Sequence, residues 1–432
     1  MFTRRTALVA CLFPAYLIAA VSTAGGQGVV LPGVGPINRS MAGATVGAPL
    51  DAAGAMHWNP AAIAGLCESE IMFGAEFLYP RTEVTSTFPA LGSGSDDSNS
   101  GVAVLPLSAI VYHPDDSAWS WGLGIYGIGG FGVNYPANPG NPVLSPPPPA
   151  GVGAGAVFSR LALIQIAPTA AVWITDHVAI GLAPTFTMAD LGLDPGFFAS
   201  PDDADGDGFP SYPSATHARL HWGIGFQIGL YYQSDGPWSF GASFKSPQWF
   251  EKFRFNATNE QGNPRDLELK LDYPMIVSVG AGYRPCDWIT WATDVRYTNY
   301  NDTDGFGDPA AFDATGAITG LGWRSVVSAA TGVHYQLSAA TSVRLGYLFT
   351  ENPVPSDVTS FNVASSPIFQ HAVFLGASQR LCGSIMVSLS YVHLFENSIR
   401  GPLETPLGPV PGASVQIDQV SDALAAGIHV FF

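Results

Sequence analysis

The chain has 432 residues, only 12% of them charged, and its net charge of −17 excludes a nucleic-acid-binding surface built on basic patches. With 47% apolar residues it could be a helical membrane protein, yet after Val21 no uninterrupted apolar run reaches the ~20 residues that a spanning helix needs. Hydrophobicity without helical spans points to a transmembrane β-barrel, where apolar residues alternate along strands instead of clustering.

Arg4 and Arg5 precede the apolar run Ala7 to Val21, and Ser22-Thr23-Ala24 follows it, so residues 1–24 read as a secretory signal peptide cleaved after Ala24. Leu8-Val9-Ala10-Cys11 imitates a lipoprotein box, but too little apolar sequence precedes Cys11. The Arg pair imitates a twin-arginine signal, a route for folded cargo that suits a barrel poorly. Residues 25–67 follow as a segment rich in Gly and Ala whose apolar residues hold neither the helical nor the strand period. It contains Asp51-Ala52-Ala53 and then Asn59-Pro60-Ala61, where Pro60 pushes Asn59 out of the α region and predicts a fixed turn. A compact plug ahead of a long β array is expected.

From Glu68 onward the sequence reads as strand after strand. In 221–232, Trp222, Ile224, Phe226, Ile228, Leu230 and Tyr232 share one face, opposite Gly223, Gly225, Gln227 and Gly229. That face belongs against lipid. About fourteen such runs occur, among them 69–80, 118–127, 237–246, 323–337 and 416–432. Short connections at 114–117, 175–176, 234–236, 285–286, 338–339 and 382–383 alternate with long ones such as 81–100, 128–159, 190–217 and 396–415. Short periplasmic turns and long outer loops produce this alternation, which a soluble sandwich would not need. The predicted fold is therefore an all-β transmembrane antiparallel barrel over 68–432 in the outer membrane, its lumen plugged by 25–67. Cys67, Cys286 and Cys382 fall at the short-turn end, and an odd count leaves at least one unpaired.

The order of a small-residue run, Asp51, Asn59-Pro60-Ala61 and strands to a terminal Phe432 resembles the FadL/TodX-type outer-membrane transporters of long-chain fatty acids and hydrophobic compounds. Gly241-Ala242-Ser243-Phe244-Lys245-Ser246-Pro247, Asp294-Val295-Arg296-Tyr297 and Gly346-Tyr347 are similar stretches. The resemblance implies a hatch at Asp51 and Asn59-Pro60-Ala61, a kinked third strand that opens the wall sideways, and passive diffusion. It also implies that Gly427-x-x-Val430-x-Phe432 serves the barrel-assembly machinery, with outer-membrane lipid and lipopolysaccharide as surroundings for a monomer.

Candidate functional residues fall into four groups. Gly127, Gly129, Gly130 and Phe131 mark the expected side opening, because Gly weakens a strand and permits close backbone approach. Lys245, Arg296, Arg324 and Arg344 take predicted lumen positions, where they could hold a ligand carboxylate or brace the barrel through partners such as Asp294. Phe197, Phe198, Phe209, Trp249, Phe250, Phe253 and Phe255 in the outer loops could form a hydrophobic landing site, with the Asn59 turn lying against the Gly129 region below. Asp203, Asp205 and Asp207 copy the opening of a Ca²⁺ loop, but the twelfth position is Ser214 where a bidentate Glu belongs. No catalytic motif is present, so no enzyme and no cofactor are expected. A general diffusion porin and a surface adhesin or structural barrel are the competing readings.

Overall fold

The computed structural model describes residues 27–432; the expected signal peptide lies outside them. Among the described residues no helix is long and apolar enough to cross a membrane. The wall consists of fourteen antiparallel strands: β1 (Glu70–Phe88), β2 (Ala103–Tyr112), β3 (Trp119–Tyr135), β4 (Val157–Trp173), β5 (Val178–Asp194), β6 (His221–Gln233) and β7 (Trp238–Lys245). They are followed by β8 (Met275–Cys286), β9 (Ile289–Asn299), β10 (Val326–Gln336), β11 (Thr341–Thr350), β12 (His371–Cys382), β13 (Ile385–Thr405) and β14 (Gly408–Phe431). Each pairs with its sequence neighbour, and β14 pairs with β1 from Glu70↔Phe431 to Thr87↔Ser414, which closes the barrel. Closure matters because lipid offers no partner to an unpaired edge.

Solvent exposure follows the predicted alternation. Trp222, Ile224, Phe226, Ile228, Leu230 and Tyr232 are exposed on the outside of β6, as are Trp238 and Phe240 on β7. Phe432 ends the chain with its ring stacked on Tyr112 at 6.4 Å.

Strand ends differ from expectation on the long-loop side. β1 runs on to Phe88 and folds back as a short strand, Gly92–Asp97. β3 continues through Gly129–Gly132 to Tyr135, so 128–135 is wall and not loop. Residues 396–415 form one long hairpin instead of an irregular connection. Beyond the bilayer neither face of a strand needs to be apolar, so alternation fades while the backbone ladder continues.

Inside the barrel lies the N-terminal segment, carrying α1 (Gly35–Ser40), α2 (Ala52–Trp58) and a 3-10 turn (Pro60–Gly65). Nearly all of it is buried. It meets the wall closely at glycines spread around the barrel, with its backbone at Gly181, Gly241, Gly332 and Gly346 and with the Ser40 and Pro36 side chains at Gly376 and Gly427. A Cβ added at Gly346 would stand 2.6 Å from the Ala42 amide, and one at Gly332 2.8 Å from the Met41 Cα. Real Cβ atoms do not approach so closely, so the inward glycines are what let a folded segment occupy a fourteen-stranded lumen.

Candidate functional site

The wall is incomplete at one place. β2 pairs with β1 along its length, from Ala103↔Leu78 to Val111↔Glu70. It pairs with β3 only from Leu107↔Tyr126 to Tyr112↔Trp121. β3 nevertheless continues beside β4 to Tyr135↔Val157, through a bulge between Gly127 and Gly129. Gly130 takes φ +156, a conformation that favours glycine. Above Tyr126 the β2 side of β3 is therefore unpaired with the wall.

The start of the described chain takes up part of that edge. Gly130 N–H donates to the Val29 carbonyl and Leu31 N–H to the Ile128 carbonyl, both at 3.1 Å, with Val30 bridged to Gly129. Tyr300 Oη holds the Gln27 carbonyl at 2.7 Å. The Asn59-Pro60-Ala61 turn is not the partner of this region. It sits instead against β5 and β6, where Asn59 Nδ2 donates to the Leu230 carbonyl at 3.0 Å and to Val46 at 2.8 Å. Asn59 Oδ1 accepts from Ala61 N–H at 3.1 Å, which is the local turn that Pro60 imposes. Asp51 stands at the start of α2 without capping it; Glu70 of the wall accepts from Ala52 N–H at 2.7 Å.

A cavity of ≈ 500 Å³ lies at the break. Its boundary includes buried Leu161 and Ala423 as well as Val102 and Val104, which are exposed on the outer surface. It thus runs from lumen to exterior through the wall. Arg39 also borders it, held by Glu76 with N–O distances of 2.6 and 2.9 Å, and both are buried. Arg160, on the exterior side, pairs with Asp190 at 2.7 Å.

Nearer the outer loops a second cavity of ≈ 120 Å³ is lined by Leu191, Leu193, Phe197, Phe198, Leu271 and Phe361. Phe131 borders both cavities. Of the aromatic residues expected to gather here, Phe197 and Phe198 do. Phe250, Phe253 and Phe255 pack as buried core beneath them, with Phe198 and Phe255 centroids 5.3 Å apart. Phe209 is exposed in the acidic loop, and Trp249 is exposed beside Phe226 on the wall.

The four candidate lumen cations do not converge. Arg324 precedes β10 and its side chain is 69% exposed near Asp357, so the lumen assignment is wrong for it: the strand begins at Val326 and its phase does not reach back. Arg296 donates to Asp294 at 2.9 Å and to the Gly43 carbonyl, and lies 3.7 Å from the Trp58 ring centroid. Asp294 in turn accepts from Thr45 and Val46 N–H. Lys245 Nζ stands 3.4 Å from His57 Nδ1, and Arg344 bonds Ser342 and Ser378. These side chains brace the N-terminal segment and the wall, and none of the four borders either cavity just described.

In the acidic loop the carboxylates that gather within 4.8 Å are Asp203, Asp205 and Glu260, while Asp207 bonds Phe209 N–H. Cys67, Cys286 and Cys382 are free thiols. Arg39, Glu76 and the Val29–Leu31 pairing escape the sequence reading, although Arg39 is the one charged residue between Gly25 and Leu50 and so calls for a buried partner.

A family model described as outer membrane protein transport protein (OMPP1/FadL/TodX) matches residues 15–398. No curated protein matches the sequence. Among solved structures, a Pseudomonas aeruginosa FadL homologue aligns with TM-score 0.70 at 14% identity, covering 94% of this chain and 99% of that one. The P. putida toluene transporter TodX gives 0.68 at 14%, covering 93% and 99%. The Ralstonia pickettii toluene transporter TbuX gives 0.65 at 17%, covering 92% and 98%. At these identities the likeness is one of fold.

Proposed function

The chain belongs to the OMPP1/FadL/TodX family of outer-membrane transport proteins, and on that premise we propose that it admits small uncharged hydrophobic compounds and releases them sideways into the membrane. The observation that carries this reading is the cavity that crosses the wall where β2 leaves β3. A ligand first settles among the outer loops at Phe197 and Phe198. It passes Phe131 into the larger cavity and leaves between Val104 and the Gly129–Gly132 stretch. Asn59-Pro60-Ala61 and Asp51 belong to a hatch that keeps the floor shut. Diffusion drives the flux, the protein acts as a monomeric channel and not a catalyst, and its C-terminal strand is handed to the assembly machinery.

Chemistry of the lining supports an uncharged cargo over a fatty acid. Every cation on either cavity already faces a carboxylate: Arg39 has Glu76, Arg160 has Asp190, and Lys270 has Asp272 at 2.6 Å. A ligand carboxylate entering there would be desolvated without a free charge to meet it, which costs several kcal/mol. The ≈ 120 Å³ outer cavity also matches a single ring, since a dry apolar cavity of about 150 Å³ holds benzene. Proteins described as toluene transporters share the fold. Uptake by cells expressing the protein distinguishes the cargo: a monoaromatic hydrocarbon should enter faster than in cells without it, and a long-chain fatty acid should not. Acceleration of the fatty acid alone would overturn this choice of substrate.

A further inference from the structure

The outside of the wall carries a polar cluster that transport does not use. Outward positions of β1, β13 and β14 are mostly apolar, yet Asp422 faces out, in register with Tyr79 on one side and His393 on the other. One of its oxygens accepts from the Tyr391 hydroxyl at 2.7 Å and meets His393 Nδ1 at 2.8 Å. The other accepts from Arg81 Nη2 at 2.6 Å. That is the one bond described for Arg81, whose side chain is 63% exposed, so most of its guanidinium donors remain unused. The cluster lies toward the long-loop ends of these strands, hence at the outer boundary of the membrane.

Directly below it the surface is hollow. Two registered rows nearer the membrane centre, Ala426 and Ala377 flank Leu389. Between them and the row above lies an open groove of ≈ 840 Å³, walled by Phe77, Leu375, Leu389 and Leu424. A charged head position therefore stands over an apolar trough that opens to lipid.

We propose that this face binds one phosphorylated glycolipid of the outer leaflet, with an acyl chain in the groove and a phosphate on Arg81. Arg suits a phosphate because its planar fork can make two parallel charge-assisted bonds. Asp422 holds the guanidinium from the protein side and leaves its outer edge presented. Alanines at 377 and 426 make room for a chain where a bulkier residue would fill the trough.

The test uses full-length protein extracted from outer membrane in mild detergent, with bound lipid counted by native mass spectrometry. Arg81→Gln removes the head contact and Ala426→Phe fills the groove on a lipid-facing position that a β-strand tolerates. Each should lower retained glycolipid roughly tenfold, the first by losing a charge-assisted contact and the second by displacing the buried part of an acyl chain. Arg219→Gln, which removes an exposed arginine outside both cavities and the groove, should leave retention unchanged. Delipidated wild-type protein, which avoids any folding defect, should rebind phosphorylated lipid A at least roughly tenfold more tightly than its dephosphorylated form or phosphatidylglycerol. Equal binding of the three lipids, wild-type retention in both variants, or an equal loss with Arg219→Gln would overturn the assignment.

Discussion

Residues 40–65 and residues 27–31 belong to one stretch of chain, yet they meet the wall in opposite ways. The first part is fitted against inward glycines on strands all around the barrel, and Asp294, Lys245, Arg296 and Asn59 tie it from several sides. The second part is held by backbone hydrogen bonds to one open strand edge and by Tyr300. Close backbone packing resists any single loss, because nothing can shift without a clash. A few bonds at an edge can open singly. The proposed route would use this contrast, staying tight toward the periplasm while opening toward the bilayer.

Removing the whole segment should break the contrast most severely. Deletion of residues 27–66 removes the Val29–Leu31 pairing from β3 but leaves the fourteen-strand ladder closed on itself, so the barrel should still assemble, and planar-bilayer conductance should rise from near silence to a steady open level. A folded deletion variant that stays silent would mean the segment is not what closes the floor.

Arg39→Met comes next. It leaves Glu76 buried without its partner and should cost about 3–5 kcal/mol in denaturant unfolding of the detergent-solubilised barrel. Adding Glu76→Gln should recover most of that loss. An unchanged midpoint in the single variant would show that the pair is not buried as described.

Asn59→Ala strands the Val46 and Leu230 carbonyls and deletes the local turn bond, so a loss of about 1–3 kcal/mol is expected. Because the glycine contacts remain, ion conductance should stay low. A large leak from this one change would contradict the view that the floor is held collectively.

Tyr300→Phe is the mildest and the sharpest. It removes one hydrogen bond, about 1 kcal/mol, from the flank alone. Amide exchange at Leu31 and Gly130 should quicken while the global unfolding midpoint stays put. Equal acceleration throughout residues 40–65 would mean the two parts of the segment are not independent.

Much of the barrel is legible in the sequence because lipid imposes a strict period of two. Trp222 to Tyr232 alternate cleanly, and the short turns fall where they were expected. Outside the bilayer that constraint lapses, which is why the outer half of the β13–β14 hairpin reads as loop. Gly129–Gly132 hides for a different reason: glycines have no side chains to alternate, so a strand made of them carries no pattern. The turn at Asn59-Pro60-Ala61 is local chemistry and can be read, but the strand it touches is a tertiary fact and cannot. Arg324 shows the cost of a three-residue error in a strand start, since phase then assigns the wrong face. Arg39 was the recoverable miss, a lone charge in an apolar stretch that had to find Glu76.

The central claim is that the molecule leaves through the flank, and a reversible block at its mouth tests this most directly. Val104, exposed beside the cavity, is changed to cysteine in a chain whose Cys67, Cys286 and Cys382 are serines. Val295→Cys, exposed on β9 on the opposite side of the barrel, serves as control. Each is treated in whole cells with a bulky apolar disulfide-forming reagent, and hydrocarbon uptake is followed before and after reduction. Modified Val104→Cys should lose uptake, reduction should restore it, and the Val295→Cys control should be unaffected throughout. Undiminished uptake with Val104→Cys fully modified would contradict it.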